Sequence, residues 1–91
     1  MRNVYIIQGD RYFKIGVSKD VNSRLVALDA TLLPFELKII ATLPTDRAFE
    51  LESSLHERFS LQRVRGEWFD LDLEDIKSIV SGYIFKIENG S

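Results

Sequence analysis

Ninety-one residues with 45% hydrophobic content suffice for one compact domain and leave no room for a second, so residues 1–91 read as a single unit, a core at 3–71 followed by a C-terminal helix and tail at 72–91. The absence of cysteine excludes disulfides, a cysteine nucleophile and a thiolate metal site, and one histidine argues against a multi-histidine zinc centre. The formal net charge of −2 argues mildly against a nucleic-acid partner, while the lack of a signal-peptide layout or of any bilayer-length apolar run makes the cytoplasm the expected compartment, with no membrane partner.

The chain opens on Asn3 to Gln8, rich in β-branched and aromatic residues, which predicts a strand. Gly9-Asp10 is a two-residue hairpin signal, and Arg11 to Gly16 is the returning strand. This register sets Tyr5 opposite Lys14 and Ile6 opposite Phe13. Val4, Ile6, Phe13 and Ile15 then share one apolar face, and Tyr5, Ile7, Tyr12 and Lys14 share the other. Cross-strand partners are close, so the phenol and the amine are expected as neighbours.

Ser18 or Asp20 can cap a first helix from Val21 to about Ala30, with Val21, Leu25 and Leu28 in one stripe and Arg24 at its edge. After a loop ending at Pro34, Leu37 to Leu43 alternates and predicts a third strand with Leu37, Ile39, Ala41 and Leu43 on one side. Pro44-Thr45-Asp46 starts a second helix running to about Phe59, whose apolar arc holds Ala48, Leu51, Leu55 and Phe59. Glu52 projects within that arc. A carboxylate facing a core is costly unless it is paired or metal-bound, which makes Glu52 the strongest anomaly in the sequence. His56 lies one turn further on, within its reach.

Beyond a basic loop, Glu67-Trp68-Phe69 reads as a short extended segment, with Trp68 as core rather than a base-stacking platform. Asp72 can cap a third helix in which Leu73, Ile76, Val80 and Tyr83 recur at helical spacing. Ile84, Phe85 and Ile87 form an apolar tail that can cover the sheet or contact a second copy or a partner protein.

Charge is segregated along the chain. Residues 1–24 carry Arg2, Arg11, Lys14, Lys19 and Arg24 against Asp10 and Asp20, while Glu67, Asp70, Asp72, Glu74 and Asp75 concentrate acid near the C-terminus. Arg58, Arg63 and Arg65 form a second basic group. Lys19, Arg63 and Arg65 are candidate phosphate contacts, against the plainer alternative of solvated surface charge.

Val4-Tyr5-Ile6-Ile7, Phe13-Lys14-Ile15-Gly16, Arg24, Ala48-Phe49-Glu50-Leu51-Glu52, Leu55-His56-Glu57-Arg58-Phe59 and Gly66-Glu67-Trp68-Phe69 together resemble the GIY-YIG nuclease superfamily, in its compact phage and bacterial branch. The resemblance implies an α+β fold in which a small three-stranded antiparallel sheet is flanked by helices in the order β-β-α-β-α-α. It also implies DNA as partner and metal-dependent hydrolysis of a phosphodiester bond, leaving a 5′-phosphate and a 3′-hydroxyl. By position, Tyr5 matches the residue that activates water, Lys14 takes a second tyrosine's place, and Arg24 matches the residue that contacts the scissile phosphate. Glu52 matches the glutamate that holds a single Mg²⁺ or Mn²⁺.

His56 is added as a catalytic candidate for its proximity to Glu52, either hydrogen-bonding near the scissile phosphate or packing structurally. Asn3 stands where the pattern has glycine, and the pattern's terminal asparagine has no equivalent in this chain. The expected function is therefore a DNA endonuclease or nicking domain. The alternative is a catalytically impaired nucleic-acid-binding or protein-interaction module of the same fold. In a chain of this length, target specificity is expected from loops, dimerisation or a partner rather than from an appended domain.

Overall fold

The computed structural model describes residues 1–29 and 34–89. Ala30, the expected end of the first helix, and positions 31–33 of the following loop lie outside the described residues. The elements run β1 (Arg2–Gly9), β2 (Tyr12–Ser18), α1 (Val21–Asp29), β3 (Leu37–Thr45), α2 (Ala48–Arg58), a single 3₁₀ turn (Ser60–Gln62), β4 (Arg63–Arg65), β5 (Trp68–Phe69) and α3 (Leu73–Glu88). The class is α+β, as expected. The sheet has five strands rather than three, in the order β3-β1-β2-β5-β4 with every neighbouring pair antiparallel. The two added strands are short pieces of the segment read as a basic loop and an extended stub.

The β1–β2 turn falls on Asp10-Arg11, one residue later than Gly9-Asp10, so that Gly9 pairs with Tyr12. Gly9 is needed inside the strand, because a Cβ there would run into the side chains of Phe35, Leu37 and Trp68. Asp10 takes the turn with a φ of 57°, a left-handed conformation that Asp tolerates better than most residues. The shift moves both strands by one residue, so the two faces keep their predicted members. It changes the partners: Tyr5 stands opposite Gly16, and Lys14 stands opposite Ile7.

One face, built from Val4, Ile6, Phe13, Ile15 and Phe69, packs on α2 through Ala48 and Leu55, on Phe59 at its C-terminal cap, and on α3 through Ile76 and Ile79. The other buries Tyr5, Ile7 and Leu37 against Val21 of α1, with Leu25, Leu28 and Trp68 partly buried around them. β3 serves both faces. Its register against β1 shifts between Ile6 and Ile7, which leaves Ile40 as an extra residue, 40% exposed. This bulge sends Ala41 and Leu43 to the α2 side and Leu37 and Ile39 to the α1 side, so the four residues predicted on one side are divided.

β3 also continues through Pro44 to Thr45, and α2 therefore starts at Ala48, later than expected. Asp72 caps α3 in a reciprocal capping box with Asp75. The buried stripe of α3 is Ile76 and Ile79, whereas Leu73 is 69% exposed. Tyr83 anchors the helix by donating to the Pro44 carbonyl at 2.6 Å. Ile84, Phe85 and Ile87 are not a separate tail; they continue α3 and are exposed. Among the described residues, no helix is long and apolar enough to cross a membrane.

Candidate functional site

Tyr5, Lys14, Arg24, Glu52 and His56 converge on one edge of the sheet, joined there by Glu67. The sheet makes this possible by being incomplete. β5 pairs with β2 only at Phe13 and Lys14, so among the described residues the far half of β2 has no strand beside it on that edge. Groups from both faces can meet around it.

From the α1 side come Tyr5, Lys14 and Arg24. Tyr5 is 1% exposed and lies across Gly16, whose missing side chain leaves the space its ring and hydroxyl occupy. The hydroxyl lies within hydrogen-bonding reach of the Arg24 guanidinium. It is the first of the influences pushing that guanidinium's pKa further above its ordinary range, and the Glu67 charge adds to it. Arg24 itself is exposed at the surface of α1. Asp20, rather than Ser18, caps this helix: it accepts from the Ser23 backbone at 3.2 Å and from the Ser23 hydroxyl at 2.8 Å, which hold its carboxyl below the usual range.

Lys14 is buried at 7% exposure, and its Nζ donates to Glu67 Oε1 at 2.8 Å while standing 5.8 Å from the centre of the Trp68 ring. The expected direct pairing of Tyr5 with Lys14 is thereby corrected. They are diagonal neighbours on one face, and the partner of Lys14 is Glu67. Trp68 is half-buried against Phe35 and Lys14, in agreement with its reading as core.

From the α2 side come Glu52 and His56, both half-buried. His56 Nε2 is 2.9 Å from the Ile15 carbonyl, and its Nδ1 is 3.3 Å from an Arg63 guanidinium nitrogen. Arginine can only donate, which makes Nδ1 the acceptor and Nε2–H the donor to Ile15. The Ile15 N–H, on the same edge, donates to the Glu67 carbonyl at 3.1 Å. His56 thus occupies the position on β2 that a longer β5 would have filled. Its ring also meets the Phe69 edge at 4.9 Å between centroids.

Glu52, His56 and Glu67 each bring one donor atom within 4.8 Å of the others. The His56 nitrogens are both engaged, so a metal on Nδ1 would have to displace Arg63. The two carboxylates are the ready ligands. Burial first, and the facing Glu67 carboxylate second, raise the pKa of Glu52; His56 and Lys14 oppose the shift. Facing carboxylates repel one another unless a proton or a cation offsets their charge. Such an oxygen-donor pair, completed by water and phosphate oxygens, suits a hard divalent ion such as Mg²⁺ or Mn²⁺.

Glu67 was not singled out as a ligand from sequence, although the Glu67-Trp68-Phe69 segment was. Its role depends on β5 pairing with a strand more than 50 positions earlier, which no local pattern encodes. Arg63 adjoins the cluster through His56 and stands 5.8 Å from the Phe69 ring centre. Arg65 is exposed on the outer strand β4, and Lys19 is exposed at the opposite end of β2. These three do not form one patch.

The family model of the T5orf172 domain matches residues 3–84. The chain belongs to the T5orf172 domain family. This corrects the resemblance to the GIY-YIG superfamily read from the sequence, so roles that rested on that resemblance now rest on the geometry alone. A similar protein to this T5orf172 domain is "Uncharacterized protein 460R" of Invertebrate iridescent virus 6, 33% identical over 88% of this chain. The chain spans 39% of that relative's length. No solved structure matches it.

Proposed function

We propose that this T5orf172 domain is a metal-dependent DNA endonuclease or nicking domain. The observation that carries this reading is the meeting of a carboxylate pair, Glu52 and Glu67, with the Tyr5 hydroxyl and the Arg24 and Lys14 cations around one open sheet edge. Phosphodiester hydrolysis needs charge stabilisation on the phosphate, a positioned water and a group to take its proton.

Arg24 is the exposed member of the set, and its planar fork suits two phosphate oxygens. Tyr5 orients that fork through its hydroxyl. Lys14 holds Glu67 at the edge, and His56 fixes α2, which carries Glu52, against β2. Glu52 and Glu67 would hold Mg²⁺ or Mn²⁺, which when bound supplies Lewis-acid stabilisation of the phosphate and lowers the cost of deprotonating water. This reading places its action in the cytoplasm.

A plasmid-nicking assay with Mg²⁺ or Mn²⁺ tests the reading. Cleavage by the wild type that is lost in Glu52→Gln is expected, and equal activity of the two proteins removes the metal role. The near-complete burial of Tyr5 favours a second reading, a nucleic-acid-binding module that does not cut. DNA binding with steep salt dependence, and no cleavage under either metal, would decide for it.

A further inference from the structure

Phe49 is 59% exposed on α2, and single exposed apolar residues are common on any surface. Its surroundings set it apart. The Arg2 guanidinium stands 5.3 Å from the ring centre. The ring walls a hollow of about 220 Å³ together with Arg2, Lys19, Thr45 and Asp46. Two cations against one acid leave this hollow suited to an anion, and the aromatic wall adds a flat apolar surface.

The hollow lies next to the Glu52–Glu67 site along two elements. On α2, Phe49, Glu52 and His56 follow at spacings of three and four and so share one face, with Phe49 about 4.5 Å along the axis from Glu52. In the sheet, the Asn3–Ser18 pair is two residues, about 7 Å, beyond the Tyr5–Gly16 pair. The Asn3 amide donates to the Ser18 and Lys19 carbonyls at 3.2 and 3.4 Å, which fixes the backbone that carries Lys19. A strand whose phosphate sits at Arg24 and Glu52 therefore reaches the hollow with its neighbouring nucleotide.

We propose that the hollow is a subsite for an unpaired nucleotide flanking the scissile phosphate, with its base stacked on Phe49 and its own phosphate held by Arg2 and Lys19. The placement of the scissile bond rests on the nuclease reading; the binding of the strand does not. A base still paired in a continuous duplex cannot lie on Phe49. The substrate class is therefore single-stranded or locally unpaired DNA.

Fluorescence anisotropy of a labelled oligothymidine of roughly 12 nucleotides tests this in EDTA, against a blunt duplex of equal length. The wild type binds the single strand more tightly than the duplex. Phe49→Ala, at an exposed position that leaves the fold intact by thermal melting, weakens single-strand binding roughly tenfold without changing its salt slope, and Phe49→Trp restores it. An Arg2→Ala and Lys19→Ala double variant makes the slope of log K against log salt shallower by about 0.7 per lost contact. Wild-type affinity in Phe49→Ala, or equal affinity for duplex and single strand, overturns the subsite whatever the nicking assay gives. Intact single-strand binding with no cleavage leaves the subsite standing and removes only the nuclease reading.

Discussion

Glu52 and Glu67 can be held together by a proton or by a cation, and the two alternatives respond oppositely to pH. In the metal-free protein the folded state raises the Glu52 pKa through burial and the Glu67 charge. A carboxyl group whose pKa is raised on folding contributes stability that is full below its unfolded pKa and is lost as pH rises through the folded one. Glu52 therefore favours the fold in acid, and that contribution is lost as pH rises above the ordinary glutamate range. Glutamine donates an N–H to Glu67 without a charge. Urea melts in EDTA from about pH 4 to 8 should show Glu52→Gln gaining on the wild type as pH rises. A gap independent of pH would sink this account.

Gly16 is the second residue at which the site is decided. A Cβ there would overlap the Tyr5 ring and hydroxyl, so Gly16→Ala must move Tyr5 off Arg24. Overpacking of this kind costs about 1–3 kcal/mol, to be read as a lower urea midpoint. Any cleavage activity should fall with it, even though Gly16 carries no functional group. Glu52 was legible in the sequence because a carboxylate on an apolar arc breaks a periodic pattern. Glu67 breaks no pattern, and only the three-dimensional pairing of Lys14 with it reveals its place.

Among the elements, those formed by local rules were readable and those formed by remote pairing were not. The Asp72 cap and the α2 stripe of Ala48, Leu51, Leu55 and Phe59 follow from spacing alone. The β3 bulge at Ile40 does not, because an alternating pattern looks the same whether or not one residue is skipped. β4 and β5 were hidden for another reason: strands of three and two residues carry almost no period. Their shortness is what exposes the edge of β2, and His56 completes that edge.

Removing the His56 side chain leaves the Ile15 carbonyl without its 2.9 Å donor. His56→Ala should cost about 1–3 kcal/mol for the unsatisfied acceptor, and His56→Gln, which keeps an N–H donor, should cost less. Denaturation curves of the two variants measure the difference. Equal losses would mean that ring packing on Phe69, and not the hydrogen bond, is what α2 gains from His56.

At the scale of the whole molecule the site is a joint between layers. Lys14 and Arg24 belong to the α1 face, Glu52 and His56 to the α2 face, and Glu67 bridges them from the head of β5. A divalent ion held by Glu52 and Glu67 would tie helix α2 to the short strand β5, two elements that otherwise meet through Phe69 packing and the His56 contact at the β2 edge. Ligand that binds only the folded chain raises stability by RT ln(1 + [L]/Kd), about 2.7 kcal/mol at a hundredfold excess over Kd. The wild type should therefore melt at progressively higher temperature as Mn²⁺ or Mg²⁺ is titrated at neutral pH, with the gain reversed by EDTA. Glu52→Gln and Glu67→Gln should each lose most of that rise, while Glu50→Gln, exposed on the outer side of α2, should keep it in full. If all four proteins respond alike, the ions act on general surface charge and the joint is held by protein contacts alone. If only the two joint variants fail to respond, the carboxylate pair is the ion's seat, and the fold itself reports its occupancy.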